Sequence, residues 1–238
     1  MFCIKIAGIV VRIDNKYPLT EKICKDYISE TESYDFSVCA SDAEISSEII
    51  AAYELYGRKI SMPYAESSCI YRRICLALPS FDAFVFHASA VECDKKTYMF
   101  SAPSGVGKST HTKLWLEHFG DRARIINGDK PVLRLFDGKL HVCGTPWCGK
   151  EGFSSNGISP LHALCFLERG EKNEIRRIDA SEAVIRSARQ ILIPDTECGI
   201  DALFPLLEKM LTQTPTYVLR CNISDEAVDV AYNTMKDN

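Results

Sequence analysis

The sequence predicts an α/β (mixed α+β) protein, divided into a small N-terminal α+β region over residues 1–80 and a larger domain over 81–238. Three observations carry that reading. Strand-like and helix-like periodicities alternate along the chain. The texture changes at residue 83, where strands shorten and turns rich in Gly and Asp appear between them. A glycine-rich loop, residues 102–109, joins an apolar strand to a helical pattern. At 238 residues the chain suits one large domain or a medium one with a small companion.

Taken in order, residues 2–13 alternate apolar and polar positions and read as a strand, and 35–39 as a second, short one. Ser41-Asp42 can cap a helix whose apolar positions Ile45, Ile49, Ala52, Tyr53 and Tyr56 recur until Gly57 ends it. Another helical stretch covers 65–78 and stops at Pro79. Segments 84–91 and 97–100 flank the turn 94–96 as a hairpin, and the second strand feeds into the glycine-rich loop. Residues 110–119 have helical spacing, with Gly120 as a natural stop. A strand at 123–126 ends on Asn127-Gly128-Asp129. Strands at 131–136 and 139–143 enclose Asp137-Gly138, the strongest short hairpin signal. A second glycine-rich loop, 144–152, precedes strands at 161–167 and 174–178. Helices are expected at 180–192, 201–211 and 225–235, with a strand at 216–221.

Composition narrows the function classes. Hydrophobic residues at 46% and charged residues at 25% exclude disordered and fibrous chains. A net charge of -4 offers no long-range attraction to nucleic acid or anionic membranes, so a small molecule or a protein is the expected partner. No apolar run approaches the roughly 20 residues that span a bilayer. The start, Met1-Phe2-Cys3-Ile4-Lys5-Ile6, lacks signal-peptide features, and the expected location is the cytoplasm. Eleven cysteines are scattered without a CxxC, several in apolar runs such as those around Cys75 and Cys165, and read as reduced core thiols.

The loop Ala102-Pro103-Ser104-Gly105-Val106-Gly107-Lys108-Ser109 follows the G-x-x-x-x-G-K-[ST] pattern, with Ala102 where the first glycine usually stands. Glycines let successive backbone N–H groups converge on phosphate oxygens, and the following helix adds its N-terminal dipole. In that pattern Ser104, Gly105, Val106 and Gly107 cradle the phosphates, Lys108 reaches the β- and γ-phosphates, Ser109 ligates Mg²⁺ and Thr110 touches the α-phosphate. ATP and Mg²⁺ are therefore the expected cofactors. Arg186 and Arg189, three apart on an expected helix, read first as a solvated face, with an anion clamp as the alternative.

From His87 to Asp129 the chain resembles the HPr kinase/phosphorylase and phosphoenolpyruvate carboxykinase-like superfamily. The resemblance rests on Ser104-Gly105-Val106-Gly107-Lys108-Ser109, on His87 fifteen residues before the loop, and on Asp129 closing the next strand. It implies the mixed-sheet P-loop core of that superfamily over 81–238, with Asp129 beside the metal as base toward an acceptor hydroxyl and His87 near the metal and phosphates. The sequence departs from the family at two points. Gly128 stands where HPr kinases carry a second Asp, and the family's Glu-x-Arg-Gly has no counterpart, the matching strand reading His141-Val142-Cys143-Gly144. The loop 144–152 resembles a segment of HPr-kinase-like proteins of unassigned substrate. In it Lys150 can neutralise a transferring phosphoryl group, Glu151 can supply a second metal carboxylate, and Trp147 offers a flat surface for stacking.

The resulting expectation is an ATP-dependent kinase moving the γ-phosphoryl group of Mg·ATP to a serine-type hydroxyl, in free serine or in a peptide or protein. Two alternatives compete: a carboxykinase-like lyase, for which 238 residues is short, and a non-catalytic nucleotide sensor, which has no need of Asp129. Members of the family often assemble, which leaves a homo-oligomer open. Residues 1–80 carry no motif and are assigned to substrate recruitment by position alone.

Overall fold

The computed structural model describes residues 1–237 and arranges them on two sheets. In the first, β1 (Phe2–Ile6), β2 (Ile9–Asp14), β3 (Ile28–Ser29) and β4 (Phe36–Cys39) lie in the order β3-β1-β2-β4. The single strand expected over 2–13 is thus a hairpin. Ala7 and Gly8 turn it with φ of 51° and 79°, the two positive values of a type I′ turn. Apolar alternation runs across this turn unbroken, and Ala-Gly lacks the Asn-Gly or Asp-Gly signature, so the break was hidden.

Helices α1 (Pro18–Ile23), α2 (Asp42–Tyr56) and α3 (Met62–Ala77) accompany this sheet, and a 3₁₀ turn, Lys25–Tyr27, follows α1. The capping box of α2 forms between Ser41 and Glu44, and Gly57 closes the helix in the left-handed region, as the sequence indicates. The third helix starts at Met62 rather than 65, capped by Ser61 and entered through Pro63. Buried Glu66 accepts from the N–H groups of Lys16 (2.5 Å) and Tyr17 (3.1 Å), fixing the approach to α1, a helix too short for periodicity to reveal.

The large sheet holds β5 (Ala83–Val85), β6 (Ser89–Cys93), β7 (Lys96–Ser101), β8 (Ala123–Asn127), β9 (Val132–Phe136), β10 (Lys139–Cys143), β11 (Ile158–Arg169), β12 (Glu174–Arg177) and β13 (Thr216–Cys221). Its order is β5-β9-β10-β11-β7-β6-β8, with β13 paired to β11 and β12. The long β11 runs parallel to β7 and β13 and antiparallel to β10, so the sheet is mixed. Around it pack α4 (Lys108–Phe119), α5 (Ala180–Ser187), α6 (Glu197–Gln213) and α7 (Asp225–Met235).

Two expectations fail here for a shared reason. The strand read over 84–91 splits: β5 pairs with β9, whereas β6 lies between β7 and β8. The helix read over 180–192 ends at Ser187. Between the two halves of the split, His87 N–H donates to Gln190 O (2.8 Å), and Phe86 bridges Ile191. Those bonds hold 190–191 extended, and Pro194 further opposes helix there. The helix expected at 201–211 is longer at both ends, with Thr196 as cap and Pro205 inside it.

One core joins Ile4, Val11 and Ile13 of the small sheet and Ile70 and Ile74 of α3 to Ala83, Val85, Val132 and Cys143 of the large one. The small sheet is therefore packed onto the large sheet through shared apolar surface. Two further cores cover the faces of the large sheet, one centred on Phe86, Leu164 and Leu203, the other on Phe100, Trp115 and Leu219. All eleven cysteines are free thiols.

Candidate active site

The loop 102–109 leaves β7 and enters α4 at Lys108. Gly105 (φ 82°) and Gly107 (φ 131°) occupy conformations that L side chains rarely adopt, while a Cβ at either would touch nothing within 4 Å. Conformation, not space, requires glycine at both. Ala102 is buried and outside the positive-φ region, so a methyl is accommodated at the loop's entry. Lys108 is buried, and its Nζ donates to Ala102 O at 2.9 Å. Burial lowers its pKa, against the opposing pull of Asp129. Arg169, at the end of β11, donates from Nη2 to Gly105 O (2.5 Å) and reaches Val106 O from Nε (3.4 Å). This clamp across sixty-odd positions was invisible in the sequence.

His87 occupies the gap between β5 and β6, and Asp129 follows β8. The structure brings them together: His87 Nε2–H donates to Asp129 Oδ1 at 3.1 Å, and Nδ1 faces Gln190 Oε1 at 2.9 Å. Backbone bonds set this pairing. Ala88 N–H donates to Asp129 O (3.1 Å), and Ser101 Oγ donates to His87 O (2.9 Å). Burial alone favours the neutral acid at Asp129, but the His87 hydrogen bond and the charges of His87, Lys130 and Lys108 outweigh it and hold the pKa below the ordinary carboxylate value.

The fully buried Asn127 shapes the turn. Its Oδ1 accepts from the N–H groups of Asp129 (2.9 Å) and Lys130 (2.7 Å), and its Nδ2 donates to Thr145 O (3.0 Å). Asn127 is a positioning residue that the sequence placed on the strand end without a role. Gly128 has a packing reason to lack a side chain: a Cβ there would lie 3.0 Å from Cys148 O and 3.4 Å from Phe153. A second carboxylate at this position would crowd the backbone at Cys148.

The loop 144–152 presses on Asp129 from the other side. A Cβ on Gly149 would lie 2.9 Å from Asp129 Cβ. Trp147, expected as a stacking surface, is half-buried against the Tyr71 ring (centroids 5.1 Å apart), and its Nε1 donates to Ser67 Oγ (3.3 Å). It anchors the loop to α3. Glu151 forms an ion pair with Lys113 at 2.5 Å, and among the described residues no three His, Cys, Asp or Glu side chains gather as a metal cluster. Lys150 lines the cleft with no ion-pair partner among the described residues. Arg186 is neutralised by Glu182 and Glu168, so the proposed clamp with Arg189 does not form.

These elements enclose a cleft of about 980 Å³. One wall is Ser104, Gly105, Gly107, Lys108, Ser109 and Thr110; the floor is His87, Asp129 and Lys130. The opposite wall combines 146–152 with Lys25, Asp26, Tyr27 and Tyr64 from the N-terminal region, a contribution no sequence signal marked. One hydroxyl, Ser109, and one low-pKa carboxylate, Asp129, are the oxygen donors that suit a Mg²⁺ ion held mainly by nucleotide phosphates. No helix among the described residues is long and apolar enough to cross a membrane.

No family model and no curated protein matches the chain. Among solved structures, the Hpr(Ser) kinase/phosphatase from Coxiella burnetii aligns over 63% of this chain and 95% of its own, with 10% identity and a TM-score of 0.38. At that score the similarity bears no functional weight, and the chemistry is read from the cleft.

Proposed function

We propose that the chain is an ATP-dependent kinase that transfers the γ-phosphoryl group of Mg·ATP to a hydroxyl acceptor. The observation that supports this reading best is the convergence, in one cleft, of the 102–109 loop with a His-bonded carboxylate, Asp129, opposite a lysine-bearing wall. Residues 104–107 would cradle the phosphates, Lys108 would exchange Ala102 O for the β- and γ-phosphates, and Ser109 with Asp129 would hold the Mg²⁺, which neutralises phosphate charge. Asp129 accepts the acceptor's proton and His87 holds that carboxylate in place. A carboxylate with a depressed pKa is a weak base, which suffices here, because phosphoryl transfer depends chiefly on positioning and charge neutralisation. Lys150 supplies positive charge on the acceptor side.

The test is incubation with γ-labelled ATP, Mg²⁺ and a cell extract. Wild-type protein transfers label to an acceptor and Lys108→Ala does not. Equal transfer by both, or none by either with ATP bound, contradicts the reading, the latter in favour of a nucleotide sensor.

A further inference from the structure

The cleft holds more charge than a nucleotide uses. Lys108 serves the phosphate loop, and Lys130 lies over the Tyr71 ring with its Nζ 4.7 Å from the centroid. Lys25 and Asp26, consecutive in the chain, and Lys150 all line the cleft on the wall opposite the phosphate loop, exposed, and among the described residues none of their charged ends has a hydrogen-bonded or ion-paired partner. The wall that displays them is held firmly. Tyr27, fully buried, is hydrogen-bonded to Ser154 Oγ, which donates to Thr145 O (2.7 Å), the same carbonyl that receives Asn127 Nδ2. Asn156 Nδ2 donates to Asp26 O at 3.3 Å. The turn at 25–27 is thereby tied through side-chain bonds to the turn that carries Asp129.

We propose that Lys25, Asp26 and Lys150 form the acceptor subsite and that the acceptor is a free amino acid carrying a side-chain hydroxyl; this rests on the kinase reading above. Lys25 and Lys150 take the carboxylate, and Asp26 takes the ammonium. Opposite charges set side by side complement a zwitterion, and a subsite built to bind two charges rejects a ligand that lacks both. An internal serine of a peptide lacks both. In the transfer, the acceptor oxygen forms a bond to the γ-phosphorus as its proton passes to Asp129. The bond from that phosphorus to the β,γ-bridging oxygen breaks, and ADP and a phosphomonoester leave.

The experiment follows phosphomonoester formation by ³¹P NMR with Mg·ATP and four probes: L-serine, glycerate, ethanolamine and a serine peptide with both termini blocked. Nucleotide affinity is measured separately by calorimetry. L-serine is phosphorylated best, and the blocked peptide is not. Lys25→Ala raises KM for serine by about tenfold, as expected for a lost charge-assisted bond, leaves ATP affinity unchanged, and is rescued by Lys25→Arg. Phosphorylation of the blocked peptide at or above the rate of serine, no transfer to serine, or an unchanged KM in Lys25→Ala overturns the subsite. A kinase that prefers the blocked peptide still leaves the kinase reading standing, whereas failure to bind ATP removes that reading itself.

Discussion

The two walls of the cleft are built by different means. At 102–109 the geometry is local: a strand end, two glycines in positive φ and a helix start lie within eight residues, with Arg169 as a distant hydrogen-bonding support. At the acceptor wall it is assembled from afar. Tyr27 meets Ser154, Trp147 meets Ser67 and Tyr71, and Asn127 meets Thr145, so each bond joins segments that are remote in the chain. A local device can be recognised as a pattern and used on many folds. A wall assembled by long-range contacts is particular to one chain, which is where specificity for an acceptor belongs.

Acid destabilises the helix that backs the nucleotide wall. His111 lies on α4 directly behind the loop, fully buried, its ring edge-on to Phe100 and its Nε2 accepting from Trp115 Nε1 at 3.1 Å. Burial lowers its pKa to about 4. The unfolded chain therefore takes up a proton near the ordinary 6.5 while the folded chain does not, and about 3 kcal/mol of stability present above that range is lost as pH falls toward about 4. Thermal unfolding as a function of pH measures the loss, and His111→Phe flattens the slope in that window. An unchanged slope places the titration elsewhere.

Gly149→Ala breaks the contact between the acceptor wall and Asp129 in the floor. With φ at 80° and a Cβ that would stand 2.9 Å from that of Asp129, the substitution displaces the carboxylate. Transfer falls by about 100-fold, the effect of roughly 1 Å of misplacement, while ATP affinity is retained. Arg169→Ala does the converse. Without the guanidinium on Gly105 O, nucleotide binding weakens by about tenfold, and KM for the acceptor is unaffected. Tyr27→Phe is the mildest change, about 1 kcal/mol of lost stability by denaturant unfolding, together with a raised acceptor KM.

The same contrast explains what was legible in the sequence. The phosphate-loop pattern, the capped α2 and the hairpin at Asp137-Gly138 are encoded by neighbours in the chain, and sequence periodicity reads neighbours; the mixed sheet, made by β11 pairing with the remote β7 and β13, was implied only by the resemblance. The proximity of His87 to Asp129 was implied by a resemblance and is present as a hydrogen bond. The breaks at Phe86 to Ala88 and after Ser187 were illegible because each exists only by virtue of the other. Glu151 lines the cleft as an ion-pair partner of Lys113, and Trp147 lines it half-buried against Tyr71 of α3, two tertiary partners that the sequence did not reveal. Asn127, Gln190, Arg169 and the 25–27 turn carry no motif, and only the folded chain assigns them to the site.

The central claim is that Asp129 acts on the acceptor while the 102–109 loop holds the nucleotide. It is tested most directly by single-turnover transfer from γ-labelled ATP in Asp129→Asn, with ATP affinity measured alongside. The expected result is a loss of transfer of about 10²–10⁴-fold with nucleotide still bound. Transfer at the wild-type rate would contradict the account.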